Sequence, residues 1–210
     1  AFHARDLNLA LSQAQYARTL GYEIYLNPVN VFSYSESSLR QMLLAVNEIK
    51  PNNVAIVDTH GSMVEKDLLN YHAVFNEFLK PEIDLSIHLH ENLSLSFSLA
   101  QRFIEINNGK RGSGIDASVL GMGRIPGNLC TELIARFVKM HYNGHYFIPA
   151  IYEAIQNPVA DIKRKLPWGY AALYAETAFL KLHRSYAEYL IESTELSVPE
   201  SALILAQIKA

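Results

Sequence analysis

Short apolar runs alternate with longer amphipathic segments through the first two thirds of the chain, and this alternation restricts the fold more than any other feature. Val54–Asp58 is typical of a buried strand, and Glu65–Leu79, which follows it, has the spacing of a helix. Strands that are separated by single helices indicate βαβ units and a parallel sheet. The sequence therefore predicts an α/β fold.

The pattern leaves two ways to arrange the sheet. Strands are predicted at Glu23–Asn27, Val54–Asp58, Leu85–His90 and Ile115–Val119, and Ala1–His3 is expected to be the end of a fifth. Helices are predicted at Leu7–Leu20, Ser35–Ile49, Glu65–Leu79, Leu93–Asn107 and Asn128–His141. The sheet could be open and doubly wound, or part of a barrel. No glycine-rich phosphate loop follows the first strand, which disfavours a nucleotide-binding open sheet, and the predicted strands are too few to close an eight-stranded barrel.

The pattern changes after Tyr146, where helices are predicted and no strand is evident. These helices are expected at Ala150–Ile155, Ala171–Leu190 and Pro199–Lys209. We therefore predict an α/β domain over residues 1–147 and a helical extension over residues 148–210.

Composition excludes several classes of protein. The formal net charge is -3, so no strong positive field favours nucleic acid or an anionic membrane as a partner. The single cysteine, Cys130, cannot form an internal disulfide, which fits a reducing compartment and predicts a cytoplasmic protein. The chain begins without methionine, and we expect that further residues precede Ala1 in the complete protein.

Two histidines follow each other at alternate positions of the third predicted strand. Side chains alternate across a strand, so Ser86, His88 and His90 are expected to share one face. At the carboxyl end of a barrel strand, two imidazoles can bind one metal ion. The alternative is a hydrogen-bonded pair of core histidines, because two ligands do not complete a metal site.

Polar residues after the neighbouring strands add to this pattern. Asp116 could hydrogen-bond a metal-binding histidine or order a turn. Asn128, which follows a glycine-rich loop, could offer an amide oxygen or cap the next helix. Asp58 ends the second strand, where its side chain could belong to the active site or could order the turn that follows. Arg124 could bind a substrate carboxylate, or be a solvated loop arginine.

Together, these motifs resemble the DRE-TIM metallolyase superfamily, and most of all its 4-hydroxy-2-oxovalerate aldolases. The resemblance runs through most of the chain. It is carried by the segments Tyr16–Gly21, Asp58–Gly61, His88–Leu93, Asp116–Gly123, Gly121–Asn128 and Gly169–Tyr174. Their combined order and spacing make the resemblance specific.

The resemblance implies the C-terminal part of a TIM (β/α)₈ barrel followed by a helical extension. It implies that His88, His90 and Asn128 bind a divalent metal. A mixed set of nitrogen and oxygen ligands favours Mn²⁺, with Mg²⁺ or Co²⁺ as alternatives. The family's third protein ligand is an aspartate on the first strand, which this chain lacks. Tyr174, or failing that Tyr170, corresponds to a tyrosine that assists proton transfer. The expected substrate-binding residues are Asp58, Arg124 and Thr59, which replaces a serine of the family. Asp116 is expected to hydrogen-bond a metal-binding histidine.

The implied activity is cleavage of a 4-hydroxy-2-oxoacid into pyruvate and an aldehyde. The alternatives are another carbon–carbon lyase or a Claisen-type acyltransferase of the superfamily, or a non-catalytic barrel module. A homodimer and an acylating aldehyde dehydrogenase partner are expected from the family. Without the first strand, the isolated 210 residues are expected to be inactive.

Overall fold

Four parallel strands form one sheet in the order in which they occur along the chain. The computed structural model describes residues 1–193 and 195–209. The strands are β1 (Tyr25–Leu26), β2 (Asn53–Val57), β3 (Asp84–His88) and β4 (Ser113–Asp116). A doubly wound sheet reverses its strand order at a switch point, whereas a barrel keeps sequential order. The observed order therefore favours the barrel.

The predicted fifth strand is present as a single bridge. Phe2 pairs in parallel with Pro28, directly after β1. The Phe2 amide donates to Asn27 O at 3.1 Å, and the Val29 amide donates to Phe2 O at 2.9 Å. The pairing of strands therefore continues beyond β1 toward the start of the chain.

Helices follow the strands and fill the last part of the chain. The α-helices are α1 (Leu7–Thr19), α2 (Glu36–Ile49), α3 (Glu65–Phe78), α4 (Ser96–Asn107), α5 (Thr131–His141), α6 (Ile148–Ala154), α7 (Ala160–Lys165), α8 (Ala172–Phe179), α9 (Ser185–Ser193) and α10 (Val198–Lys209). Short 3₁₀ turns cover Ala4–Asp6, Val31–Ser33 and Val119–Gly121, and a π-helical turn covers Ile155–Val159. No helix among residues 1–193 and 195–209 is both long and apolar enough to cross a membrane.

Helix α2 shows how local sequence sets an element. Ser35 is its N-cap, because the Ser38 amide donates to Ser35 Oγ at 3.1 Å and so satisfies a donor at the helix start. Leu39, Leu43 and Val46 lie at helical spacing and are buried. The predicted and observed ends of α2 agree because both signals are local.

The described chain forms two compact units. We call Ala1–Thr59, Val64–His88 and Leu99–Asp116 the sheet unit, and His60–Met63, Leu89–Ser98 and the chain from Ala117 onward the helical unit. The sheet unit contains all four strands, and β2 is buried at every position. Burying apolar strand side chains is the main source of its stability.

The helical unit has an apolar cluster of its own. Its buried members come from α8, α9 and α10: Leu173, Tyr174, Ala187, Leu190 and Leu205. Because these residues come from three short helices, each helix depends on the other two for burial. The predicted domain boundary between residues 147 and 148 stays a prediction.

Several predicted helices have different bounds in the structure. The helix expected from Leu93 begins at Ser96. The helix expected from Asn128 begins at Thr131, because the residues before it are extended and hydrogen-bonded. The helix expected over Ala171–Leu190 is two helices, α8 and α9. Lys181 breaks it with a φ of 54°, and the Leu182 amide closes the turn on Thr177 O at 2.8 Å.

Candidate active site

Polar side chains lie at the carboxyl ends of the strands in the sheet unit. Asn27 follows β1, Asp58 follows β2, His88 ends β3 and Asp116 ends β4. Parallel strands present their carboxyl ends at one edge of a sheet, and barrel enzymes place their active sites there. This edge is the candidate site in the sheet unit.

His88 and Asp116 are partners across β3 and β4. They are aligned in the strand register, and His88 Nδ1 lies 3.0 Å from Asp116 Oδ2. Asn27 Nδ2 donates to the same carboxylate oxygen at 3.3 Å. This chain of contacts orients the imidazole and engages its Nδ1 atom.

Asn27 was not singled out from the sequence as a site residue. Its signal is its position as the last residue of the predicted strand Glu23–Asn27, whose carboxyl end lies at the same edge as Asp116. The residue type alone does not reveal the contact, because 89 positions separate the two residues in the chain.

Asp58 and Thr59 lie in the turn that follows β2. Asp58 is buried, and its amide donates to His88 O at 2.8 Å. Thr59 Oγ1 accepts a hydrogen bond from the Asn30 amide at 2.6 Å, which holds the turn after β1. The structure thus gives both residues a role in ordering the loops, and their substrate-binding role stays a prediction.

The predicted strand Leu85–His90 ends at His88 in the structure, so the expectation that His88 and His90 share one face of that strand is wrong. His90 is instead a neighbour of Asn128 in the helical unit. They form an antiparallel bridge, and the adjacent Glu91 amide donates to Gly127 O at 3.0 Å. Asn128 Nδ2 donates to Met122 O at 2.9 Å, so Oδ1 is the amide atom suited to a cation. Asn128 therefore does not cap α5; Cys130 occupies that position.

Two glycines make the loop before Asn128 possible. Gly121 has a φ of +66° and Gly127 a φ of +110°. A Cβ atom at Gly127 would lie 2.7 Å from Gly121 O, so a side chain there would clash with backbone. Trp168 Nε1 closes the loop by donating to Leu120 O at 2.8 Å. Arg124, in the same loop, is exposed.

The turn His60–Gly61 contacts the segment after His90. Gly61 has a φ of +59°, and a Cβ atom there would lie 2.1 Å from Asn92 Oδ1. Asn92 is 4% exposed, and its Nδ2 donates to Tyr174 O at 3.3 Å. Asn92 therefore links the turn to α8 within the helical unit.

Two titratable groups of the helical unit have shifted pKa values. Burial lowers the pKa of His60, and the charge of His183 lowers it further. Tyr174 is 4% exposed, and burial raises the pKa of its phenol. At neutral pH, His60 is therefore a neutral imidazole and Tyr174 is a protonated phenol. Tyr170, the alternative to Tyr174, is exposed.

The donor set fits a divalent metal in part. A carboxylate on the far nitrogen of an imidazole is the usual support for a metal-binding histidine, and Asp116 holds that position on His88. Among residues 1–193 and 195–209, no three His, Cys, Asp or Glu side chains form a group that could hold a metal. Burial raises the pKa of the Cys130 thiol to about 11, so thiolate ligation at neutral pH is disfavoured.

The model of the HMGL-like family matches residues 6–154. The chain belongs to the HMGL-like family. The resemblance to the DRE-TIM superfamily is thereby confirmed.

Relatives of this chain include two 4-hydroxy-2-oxovalerate aldolases. The 4-hydroxy-2-oxovalerate aldolase 2 of Comamonas testosteroni is 25% identical over 205 residues, which are 93% of this chain and 57% of that protein. The 4-hydroxy-2-oxovalerate aldolase 3 of Cupriavidus necator is 28% identical over 207 residues, which are 94% of this chain and 59% of that protein. The chain thus spans somewhat more than half the length of these relatives.

Solved structures confirm the fold class. The N-terminal domain of a proposed aldolase from Bacteroides vulgatus matches with a TM-score of 0.80 at 18% identity, over 98% of this chain and 64% of that chain. Hydroxymethylglutaryl-CoA lyase from Pseudomonas aeruginosa matches with a TM-score of 0.61 at 17% identity, over 84% and 60%. The chain is part of a TIM barrel followed by helices.

Proposed function

We propose that the protein is a divalent-metal-dependent aldolase that cleaves a 4-hydroxy-2-oxoacid into pyruvate and an aldehyde. The observation that carries this proposal is the His88–Asp116 pair at the carboxyl ends of two parallel strands, in a chain of the HMGL-like family. The names of the Comamonas and Cupriavidus relatives support the substrate class.

His88, His90 and Asn128 would hold the metal, and Mn²⁺ suits a mixed set of nitrogen and oxygen ligands, with Mg²⁺ or Co²⁺ as alternatives. A bound divalent metal would supply a Lewis acid that polarises the keto oxygen of a 2-oxoacid. Asp116 supports this use of His88, because its contact with Nδ1 leaves ligation to Nε2.

The remaining residues would bind the substrate or assist proton transfer. Arg124 can form a bidentate pair with a carboxylate. Asp58 and Thr59 would order the loop at the end of β2 around that substrate. Tyr174 would assist proton transfer as a hydrogen-bond donor, since its raised pKa keeps the phenol protonated.

The test of this function measures pyruvate release from 4-hydroxy-2-oxopentanoate by the full-length protein. We expect activity to be lost with a chelator and restored by Mn²⁺. We expect His88→Ala to lower kcat/KM by at least about 10²-fold, because a ligand and its charge-stabilising metal are lost together. His145→Ala is the matched control, because His145 is exposed and outside the site. Pyruvate release that survives chelation, or that survives His88→Ala, would contradict the proposal.

The alternative is a Claisen-type acyltransferase of the same superfamily. A homocitrate synthase from Pyrococcus abyssi is also a relative, at 24% identity over 79% of this chain and 44% of that protein. Release of free thiol from an acyl-CoA in the presence of a 2-oxoacid would favour this alternative.

We further propose a cytoplasmic protein that forms a homodimer and has an acylating aldehyde dehydrogenase as its partner.

A further inference from the structure

The side chain of Asn27 crosses the sheet to contact Asp116. Asn27 directly follows β1 and Asp116 ends β4, so three strand spacings separate the two residues in the sheet. Neighbouring strands lie about 4.8 Å apart, and three such spacings in a flat sheet exceed the combined reach of two short side chains. Asn27 Nδ2 lies 3.3 Å from Asp116 Oδ2. The sheet is therefore curved, and both side chains lie on its concave face.

Backbone contacts hold the turn that carries Asn27. The Phe2 amide donates to Asn27 O at 3.1 Å, and the Val29 amide donates to Phe2 O at 2.9 Å. Further along the same turn, the Asn30 amide donates to Thr59 Oγ1 at 2.6 Å. Asn27 is half-buried between these contacts. The turn after β1 therefore presents the Asn27 side chain from a fixed position.

Two donors converge on one oxygen atom of Asp116. His88 Nδ1 lies 3.0 Å from Oδ2, the atom that also accepts from Asn27 Nδ2. Because a carboxylate can only accept, neutral His88 carries its proton on Nδ1. The terminal torsion of an aspartate is broad, so outside contacts must fix the plane of its carboxylate. Asn27 supplies the second of these contacts.

The exposure of this pair makes the second donor important. The side chains of His88 and Asp116 are 31% and 44% exposed. An exposed pair gains little stability, because holding two side chains in one geometry costs conformational entropy and water competes for each partner. A further hydrogen bond from a fixed turn reduces the freedom of the carboxylate before it meets the imidazole.

We propose that Asn27 is a positioning residue, which holds the Asp116 carboxylate toward His88 Nδ1 and so fixes the tautomer and orientation of the imidazole. The consequence for metal binding rests on the proposed aldolase function, whereas the consequence for the tautomer does not. In this role Asn27 acts through Asp116. The turn after β1 thereby contributes to the site at the ends of β3 and β4.

Two replacements separate the hydrogen-bond donor of Asn27 from its volume. Asn27→Leu keeps nearly the same shape and removes the donor, whereas Asn27→Gln keeps an amide donor on a longer chain. Asn8→Leu is the matched control, because Asn8 is an exposed residue of α1 in the same unit. Circular dichroism shows whether each full-length variant is folded.

The first measurement is the ¹⁵N NMR spectrum of the His88 ring in the metal-free, full-length protein. At pH 8, above the ordinary histidine value of about 6.5, we expect the Nδ1–H tautomer to dominate in wild type and in Asn8→Leu. Asn27→Leu should raise the fraction of the Nε2–H tautomer by about twofold or more, because the Asp116 carboxylate is no longer held toward Nδ1. Asn27→Gln should restore part of the wild-type ratio.

The second measurement is Mn²⁺ affinity by isothermal titration calorimetry. Asn27→Leu should weaken Mn²⁺ binding by about threefold to tenfold, since Asn27 acts on the ligand through one further contact. In an Asp116→Ala background, the same replacement should change the affinity by less than about 1.5-fold, because the carboxylate that Asn27 positions is gone. Equal effects of Asn27→Leu in the two backgrounds would overturn the inference.

The outcomes distinguish this inference from the proposed function. An unchanged tautomer ratio in folded Asn27→Leu overturns the role of Asn27. So does an equal change in Asn27→Leu and Asn27→Gln, because an effect that does not depend on the donor indicates a role in packing. A wild-type protein that binds no Mn²⁺ overturns the proposed function, and the tautomer ratio then still decides the role of Asn27.

Discussion

Asp116 shows how one side chain can prepare another for chemistry. Its carboxylate contacts His88 Nδ1 at 3.0 Å and also accepts from Asn27 Nδ2. Such a partner sets the orientation and basicity of an imidazole that binds metal through its other nitrogen. Asp116 is therefore expected to affect only how tightly His88 binds a metal.

We expect Asp116→Asn to weaken Mn²⁺ binding by about 10- to 100-fold, because an amide supports the His88 ring less well than a carboxylate. Isothermal titration calorimetry of the full-length protein measures this change. Asp161→Asn is the control, since Asp161 is an exposed residue paired with Arg164. Equal Mn²⁺ affinity in wild type and Asp116→Asn would show that Asp116 does not support a ligand.

At the scale of elements, Arg111 joins the end of α3 to the loop before β4. Its Nε donates to Asn76 Oδ1 at 2.8 Å, and its terminal nitrogens donate to carbonyl oxygens of residues that end α3 or follow it. These carbonyls belong to Asn76, Leu79, Lys80 and Ile83. Helix ends leave carbonyls without partners, and one guanidinium satisfies several of them.

We expect Arg111→Ala to lower the free energy of unfolding by about 2–4 kcal/mol, because part-buried carbonyls lose a charged donor. Urea unfolding measures the change. Lys110→Ala is a closely matched control, because Lys110 is exposed, and it should change stability by less than about 0.5 kcal/mol. A similar small effect in Arg111→Ala would mean that water replaces the guanidinium.

At the scale of the whole molecule, buried histidines make stability depend on pH. His72 is 4% exposed in the sheet unit and contacts Asn107 Oδ1 at 3.1 Å and Asn76 Nδ2 at 2.9 Å. Burial lowers its pKa, with a smaller opposing effect from the hydrogen bond to Asn107. The unfolded chain therefore binds a proton at a higher pH than the folded chain does.

We expect the free energy of unfolding to fall as pH decreases below about 6.5, the unfolded histidine value, by at most about 1.4 kcal/mol per pH unit for each such group. The sign follows because the unfolded state binds more protons between the two pKa values. Urea unfolding at pH 7.5 and 5.5 measures this. His72→Gln should reduce the dependence, and His145→Gln should not. An unchanged slope in His72→Gln would contradict this assignment.

The alternation of apolar and amphipathic segments was enough to predict four parallel strands, their helices and the edge that carries Asp58, His88 and Asp116. These features depend on local periodicity and on alternation of side chains along a strand, which neighbouring residues determine together. The sequence also carried the motifs that resemble the superfamily, and the family match confirms them.

Other features depend on residues that are far apart in the chain, and only tertiary structure decided them. Asn27 reaches Asp116, Gly61 meets Asn92, and His60 meets His183, although no local pattern links these pairs. For the same reason, α5 begins at Thr131 and not at Asn128, the residue predicted from the sequence. Backbone pairing with the His90 segment keeps Asn128 extended, and that pairing outweighs the capping preference of asparagine.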